Sequence, residues 1–257
     1  MQTLFDSHCH LDFAVFDDDR EALLQRAQDA GVSDILIPGV SAAQWPKQQR
    51  LAEQYGGLHN AFGLHPYFLQ QHQGGDIERL REQLLKFPRS AIGEIGLDAT
   101  CDNHEQQRWF FNAQLQLAAE LARPVILHHR KTLDEMSALI SQQQLVGGVV
   151  HAFSGNFQQA QRYLSLGFYL GVGGIITYPR AKKTRATIAK VGSKHLLLET
   201  DSPDMPLSGY QGQRNEPARI ARVVRELAVI LGQPEAELRQ QLWQNTQDFL
   251  SFSATGQ

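Results

Sequence analysis

Leu4-Phe5-Asp6-Ser7-His8-Cys9-His10 is the stretch from which the fold can be read. A short apolar run, Met1 to Phe5, ends in a His-x-His pair. If the run is a strand, side chains two apart share a face, so His8 and His10 point one way while Ser7 and Cys9 point the other. Two neutral imidazoles converging at a strand end suit a divalent cation. The same pair also suits the surface or the core, so its meaning depends on what the other strands bring to the same place.

Outward from this stretch, short apolar or β-branched runs alternate with longer amphipathic ones along the whole chain. The strand candidates are Leu4 to His8, Asp34 to Pro38, His59 to Leu64, Ala91 to Ile95, Val125 to His128, Val146 to His151, Phe168 to Val172 and Leu196 to Thr200. Helical patterns lie between them at 17–30, 42–55, 76–87, 103–122, 132–143, 156–165, 180–191 and 216–231, with another at 234–250. Gly31, Gly56, Gly167 and Gly232 stand just past periodic stretches, where helix C-termini favour glycine. No linker-like or low-complexity tract interrupts the series. Eight strand–helix units in 257 residues match a (β/α)8 TIM barrel, whereas an open doubly wound sheet would place a glycine-rich phosphate loop after its first strand. We expect one α/β barrel domain over 1–257.

Composition narrows the partners. Lys and Arg total 24 against 27 Asp and Glu, a net charge of −3, so no global basic field draws in nucleic acid and any such substrate must be held locally. Cys9 and Cys101 form no spacing motif, which fits a reducing compartment. No apolar run is long enough for a membrane span and no signal core opens the chain, so we expect a soluble cytoplasmic protein with no membrane association and no obligate protein partner.

Active sites of such barrels form at the C-terminal ends of the strands. There the sequence supplies His8 and His10 after the first strand, His65 after the third, Glu94 in the fourth, His128 or His129 after the fifth, His151 at the end of the sixth and Asp201 after the eighth. His59, His72, His104 and His195 fall outside this register and read as surface or packing residues. Glu94 lies between isoleucines, where a charge is costly unless paired or bound to a cation, and its two oxygens could bridge two ions. In Leu127-His128-His129-Arg130, alternation lets one histidine be a ligand but not both; position favours His128 and leaves His129 to packing or the surface. Arg130 shares the face of His128 and is a candidate substrate contact. Three leucines lead to Glu199-Thr200-Asp201, where Asp201 could both ligate a metal and take a proton from water, with Glu199 of the same parity as the alternative acid. His65 reads as a substrate contact at the rim. Arg214, opening a helix, reads either as a contact to an anionic group or as an exposed cap.

Together these segments resemble the TatD family of metal-dependent hydrolases, in the amidohydrolase-like barrel group. The likeness rests on DSHCHLDF at 6–13, GLHP at 63–66, IGEIGLD at 92–98, PVILHHR at 124–130, HAFSG at 151–155, GFYLGVGGIIT at 167–177, LLLETDSP at 196–203, RNEP at 214–217 and the stretch from Asn245 and Thr246 to Phe249. It implies two divalent ions per subunit: one held by His8, His10 and Asp201, a second by His128 and His151, with Glu94 bridging. It also implies that the ligand is at 128 and that His129 occupies a variable position. Ala99 and Asp204 depart from the family's usual aromatic and tyrosine, which touches substrate preference rather than the metals. The implied activity is metal-assisted hydrolysis of phosphodiester bonds in DNA or an oligonucleotide, with Asp201 and Glu94 catalytic. The alternatives are a hydrolase of a small amide, ester or phosphoester on the same site, and a metal-dependent binding or scaffold protein that has lost catalysis. Histidine-rich ligation suits Zn or Mn, and the carboxylates leave Mg open.

Overall fold

A computed structural model of the chain describes residues 2–251. Met1, the first residue of the opening run, and 252–257, the end of the expected domain, lie outside the described residues. The eight expected runs form eight parallel strands: β1 (Leu4–Asp6), β2 (Val32–Ile37), β3 (Leu58–Asn60), β4 (Ile92–Asp98), β5 (Val125–Arg130), β6 (Gly148–Val150), β7 (Phe168–Val172) and β8 (Leu196–Leu198). Nine α-helices among the described residues follow or cover them: α1 (Arg20–Asp29), α2 (Trp45–Gln54), α3 (Asp76–Lys86), α4 (His104–Glu120), α5 (Leu133–Ile140), α6 (Phe157–Ser165), α7 (Lys182–Val191), α8 (Ile220–Leu231) and α9 (Glu235–Ser251). No helix is long and apolar enough to cross a membrane among the described residues.

Continuous ladders join β1 to β3 and β4 to β8. Two seams close the ring. At one, Phe62 N donates to Ala91 O at 3.2 Å and Gly93 N to Phe62 O at 2.9 Å. At the other, Ser7 N donates to Leu198 O at 2.9 Å and His10 N to Ser202 O at 2.8 Å, so the His-x-His segment itself helps close a TIM barrel.

The differences from the expected boundaries concentrate at the C-terminal strand ends. β1, β2, β3, β6 and β8 stop earlier than expected, β3 by four residues at Asn60, and β4 and β5 run on to Asp98 and Arg130. Lys131, Ala152 and Asp201, at or just beyond the ends of β5, β6 and β8, adopt left-handed backbone with φ of 60°, 46° and 58°. Non-glycine residues rarely hold that conformation unless their surroundings impose it, and such positions cluster at functional sites. Helix ends lie within three residues of expectation except at 216–231, whose start is a 3-10 turn at Pro217–Arg219. After α2 the left-handed glycine is Gly57 rather than Gly56, because a Cβ on Gly57 would stand 2.2 Å from Ser33 O.

Strand alternation splits the buried residues into two sets. Leu127, Val150, Leu170 and Leu198 face outward into the layer shared with the helices. Phe5, Leu36, Ala61, Ala91, Ile126, Val149 and Leu197 fill the lower barrel interior with Phe249 from α9. Two residues beyond Ile126, Val149 and Leu197 on the same parity stand His128, His151 and Glu199. The lower interior is therefore apolar and the upper interior ionisable.

Candidate metal centre

Glu94 is the centre of the upper layer. It is buried at 1% exposure on β4, and its two oxygens face different histidine pairs. Oε2 lies 3.1 Å from His8 Nε2 and 3.5 Å from His10 Nε2. Oε1 lies 3.1 Å from His128 Nδ1 and 3.4 Å from His65 Nε2. Asp201 joins from the β8 end: Oδ1 is 3.7 Å from both His8 Nε2 and His10 Nε2, and Oδ2 is 3.5 Å from His151 Nε2. The His8 and His151 rings stack at 3.6 Å.

Two further carboxylates hold histidines from behind. Asp98 Oδ2 lies 3.1 Å from His128 Nε2, while its Oδ1 accepts from Thr100 N at 2.8 Å and Thr100 Oγ1 at 2.6 Å. Glu199 Oε1 lies 3.1 Å from His151 Nδ1 and accepts from Ala152 N at 2.7 Å. Glu199 fits there because residue 171 is glycine, whose added Cβ would stand 2.3 Å from Glu199 Oε2. A carboxylate on the far ring nitrogen is how proteins fix the orientation and basicity of a ligating histidine. Below them Asp6 accepts from Thr200 N at 2.9 Å and Thr200 Oγ1 at 2.6 Å, tying the end of β1 to that of β8.

The electrostatics prepare a cation site. Burial alone would raise Glu94, but His8, His65 and the hydrogen bond from His128 outweigh it and hold the carboxyl well below its usual range. Burial lowers His10 to about 3 and His65 to about 4, so both are neutral lone-pair donors. Against burial, Glu199 and Asp201 raise His151 well above its ordinary value. Ionised carboxylates and neutral imidazoles are the protonation states that ligation requires. Three groups can each converge on one ion: His8, His10 and Asp201; His65, Glu94 and His128; and His8, His151 and Glu199. His8 Nδ1 and His10 Nδ1 are buried without a hydrogen-bond partner, and the donor set fits divalent cations.

The structure thus brings His8, His10, Glu94, His128, His151 and Asp201 to the wall of one cavity of about 640 Å³ or directly behind it. His65, expected at the rim, is instead buried against Glu94, with its backbone carbonyl accepting from His72 Nε2 at 2.9 Å. Arg130 lines the exposed mouth. Arg214 does not reach the cavity as a free anion contact: its guanidinium donates twice to Asp19, at 2.8 and 2.7 Å, and once to Val15 O at 2.7 Å. That bond holds the 13–19 loop to the segment after β8, and it spans a sequence separation that no local reading reveals. His129 packs toward Phe153 and Ala152 on the cavity wall, half-buried. Cys9 is buried in the outer core, and burial together with Asp6 and Asp12 pushes its thiol up. His59 pairs with Asp34 at 2.8 Å, and His195 is exposed. Asp98 went unread, although Glu94 and Asp98 share parity on one strand.

Comparison with known proteins decides the family. A profile of TatD-related DNases matches residues 5–251. The chain belongs to the TatD family. It is a metal-dependent hydrolase of that family, similar over 246 residues, at 47% identity, to the uncharacterized metal-dependent hydrolase YjjV of Escherichia coli K12, with 94% of this chain and 95% of that protein covered. The crystal structure of the same TatD homologue superposes with a TM-score of 0.92 at 46% identity, covering 96% of this chain and 97% of the other. The 3'-5' ssDNA/RNA exonuclease TatD of Pantoea sp. At-9b is 35% identical over 240 residues, covering 88% of this chain and 91% of the other.

Proposed function

We propose that this TatD-family enzyme hydrolyses phosphodiester bonds in DNA or oligonucleotides with two divalent ions, of Zn, Mn or Mg, and acts in the cytoplasm as one barrel domain over 1–257. Its main support is the division of Glu94, whose two oxygens each face a separate histidine pair. His8, His10, Glu94 and Asp201 would hold one ion. Glu94, His128 and His151 would hold the second, with His65 adjoining. Bound ions would supply Lewis acidity, neutralising charge on the phosphoryl group and acidifying a water. Asp201 would orient the water and accept its proton, its Oδ2 standing 3.5 Å from His151 Nε2. Glu199 and Asp98 keep His151 and His128 in register for this work. Arg130 at the mouth meets an incoming phosphate. The exonuclease name of the Pantoea relative favours a nucleic-acid substrate.

The test compares hydrolysis of a labelled single-stranded oligonucleotide with that of a panel of small esters, lactones and phosphoesters, each with added divalent metal and with chelator. Chelator-sensitive cleavage of the oligonucleotide is expected. Turnover confined to the small substrates would replace the nuclease by a small-molecule hydrolase, and inactivity on every substrate in every metal would leave a binding protein.

A further inference from the structure

The metal cavity opens into a second groove. Phe13, Phe68 and Asp204 line the cavity, and the same three residues line an adjoining groove of about 610 Å³. Much of the groove's remaining surface is apolar, from Val15, Pro203 and Pro206. Phe13 is the partition, stacked on His10 with ring centroids 4.6 Å apart and 19° between planes. Around this partition the chain leaves apolar groups in water: Val15 is 51% exposed, and Tyr67, whose ring meets Phe68 at 5.3 Å, is 68% exposed. Exposed apolar surface gathered beside a reaction centre marks a binding site rather than a packing remnant.

We propose that this groove is a base-binding subsite, taking the nucleobase of a nucleotide that adjoins the scissile phosphodiester. The inference rests on the phosphodiester reading above. Three observations select that occupant. The groove shares its walls with the metal cavity, so a group within it is covalently near the reacting bond. Its aromatic and proline faces suit a flat π-system, and stacking of this kind takes any base. Its guanidinium, Arg214, is already paired with Asp19, so the groove offers no free phosphate hook.

The experiment measures steady-state kinetics of the metal-loaded full-length protein on three substrates. They are a short single-stranded oligonucleotide, the same oligonucleotide with abasic residues flanking the cleaved bond, and the base-free diester methyl p-nitrophenyl phosphate. For the wild type we expect KM to be about ten-fold lower for the intact than for the abasic oligonucleotide. Val15→Asp places a charge in the exposed groove and should erase that difference while turnover of the base-free diester stays within about two-fold. Phe68→Leu should narrow the difference without introducing charge. Equal KM for intact and abasic strands in the wild type would overturn the subsite, as would a Val15→Asp loss shared equally by all three substrates. Hydrolysis of the base-free diester alone would overturn the subsite and leave the phosphodiester chemistry standing, whereas inactivity on all three would remove both.

Discussion

The two ends of the barrel interior are built from the same strands and do opposite things. In β5, β6 and β8 the inward position near the bottom is Ile126, Val149 or Leu197, and two residues on it becomes His128, His151 or Glu199. The bottom is closed by Phe249 of α9, fully buried among apolar neighbours. The top packs carboxylates against imidazoles, an arrangement whose desolvation is costly without compensating charge. One step of alternation thus separates a layer that gains stability from burial from a layer whose cost is recovered when cations bind. The bottom should answer to stability measurements and the top to activity and metal measurements.

The largest separation is expected at Asp201. Asp201→Asn preserves shape but removes a charge and a proton acceptor, and turnover should fall by orders of magnitude with little change in the melting temperature of the metal-free protein. Near-normal cleavage of an oligonucleotide by this variant would break the assignment. Phe249→Ala should do the converse, costing about 3–5 kcal/mol of stability in denaturant titrations while the folded fraction keeps its metal content and activity. Loss of metal at full foldedness would show that the two layers are not separable.

A smaller effect is expected behind the ligands. Asp98→Asn and Glu199→Gln leave every residue facing Glu94 and Asp201 in place, so each should weaken metal binding or activity by about 10- to 100-fold rather than abolish it. A loss as deep as that of Asp201→Asn would move these carboxylates into the ligand set itself. The smallest effect concerns pH. His151 is raised well above its ordinary value of 6.5, because Glu199 and Asp201 outweigh burial. In the metal-free protein its contribution to stability is present below the ordinary value and is lost as pH rises through the raised one. Ligation requires the neutral ring, so the gain in melting temperature on adding metal should grow as pH rises above the ordinary value of 6.5 toward the raised one. A gain independent of pH would mean that no proton leaves His151 on binding.

The same contrast explains what could be read in advance. The barrel was legible because burial on both faces makes each strand a short apolar run, and helix periodicity fills the gaps. His8, His10 and Glu94 were legible because an ionisable residue at an apolar strand end has few other uses. Asp98 obeys the same alternation and lies four residues after Glu94 on β4. Asp201 is different in kind: the leucine run ahead of it points to an acid at the strand end, but its side chain enters the site through a left-handed turn at φ 58°, which strand parity does not encode. The anionic partner of Arg214 is a carboxylate of this chain, Asp19, which lies on the far side of the chain in sequence, and only the closed ring brings them together. His65 was placed too far out because the carbonyl that His72 holds, and the turn it stabilises, follow from a 3-10 segment at Pro66–Gln71 rather than from the strand.

The most direct test of the central claim is metal stoichiometry. Chelator-treated protein titrated with Zn or Mn in a calorimeter, and checked by elemental analysis after desalting, should take up two ions per chain. Glu94→Gln should disturb both, because one oxygen of Glu94 faces His8 and His10 and the other faces His65 and His128. Uptake of two ions unaffected by Glu94→Gln, or no uptake by the wild type, would contradict a centre organised around that carboxylate.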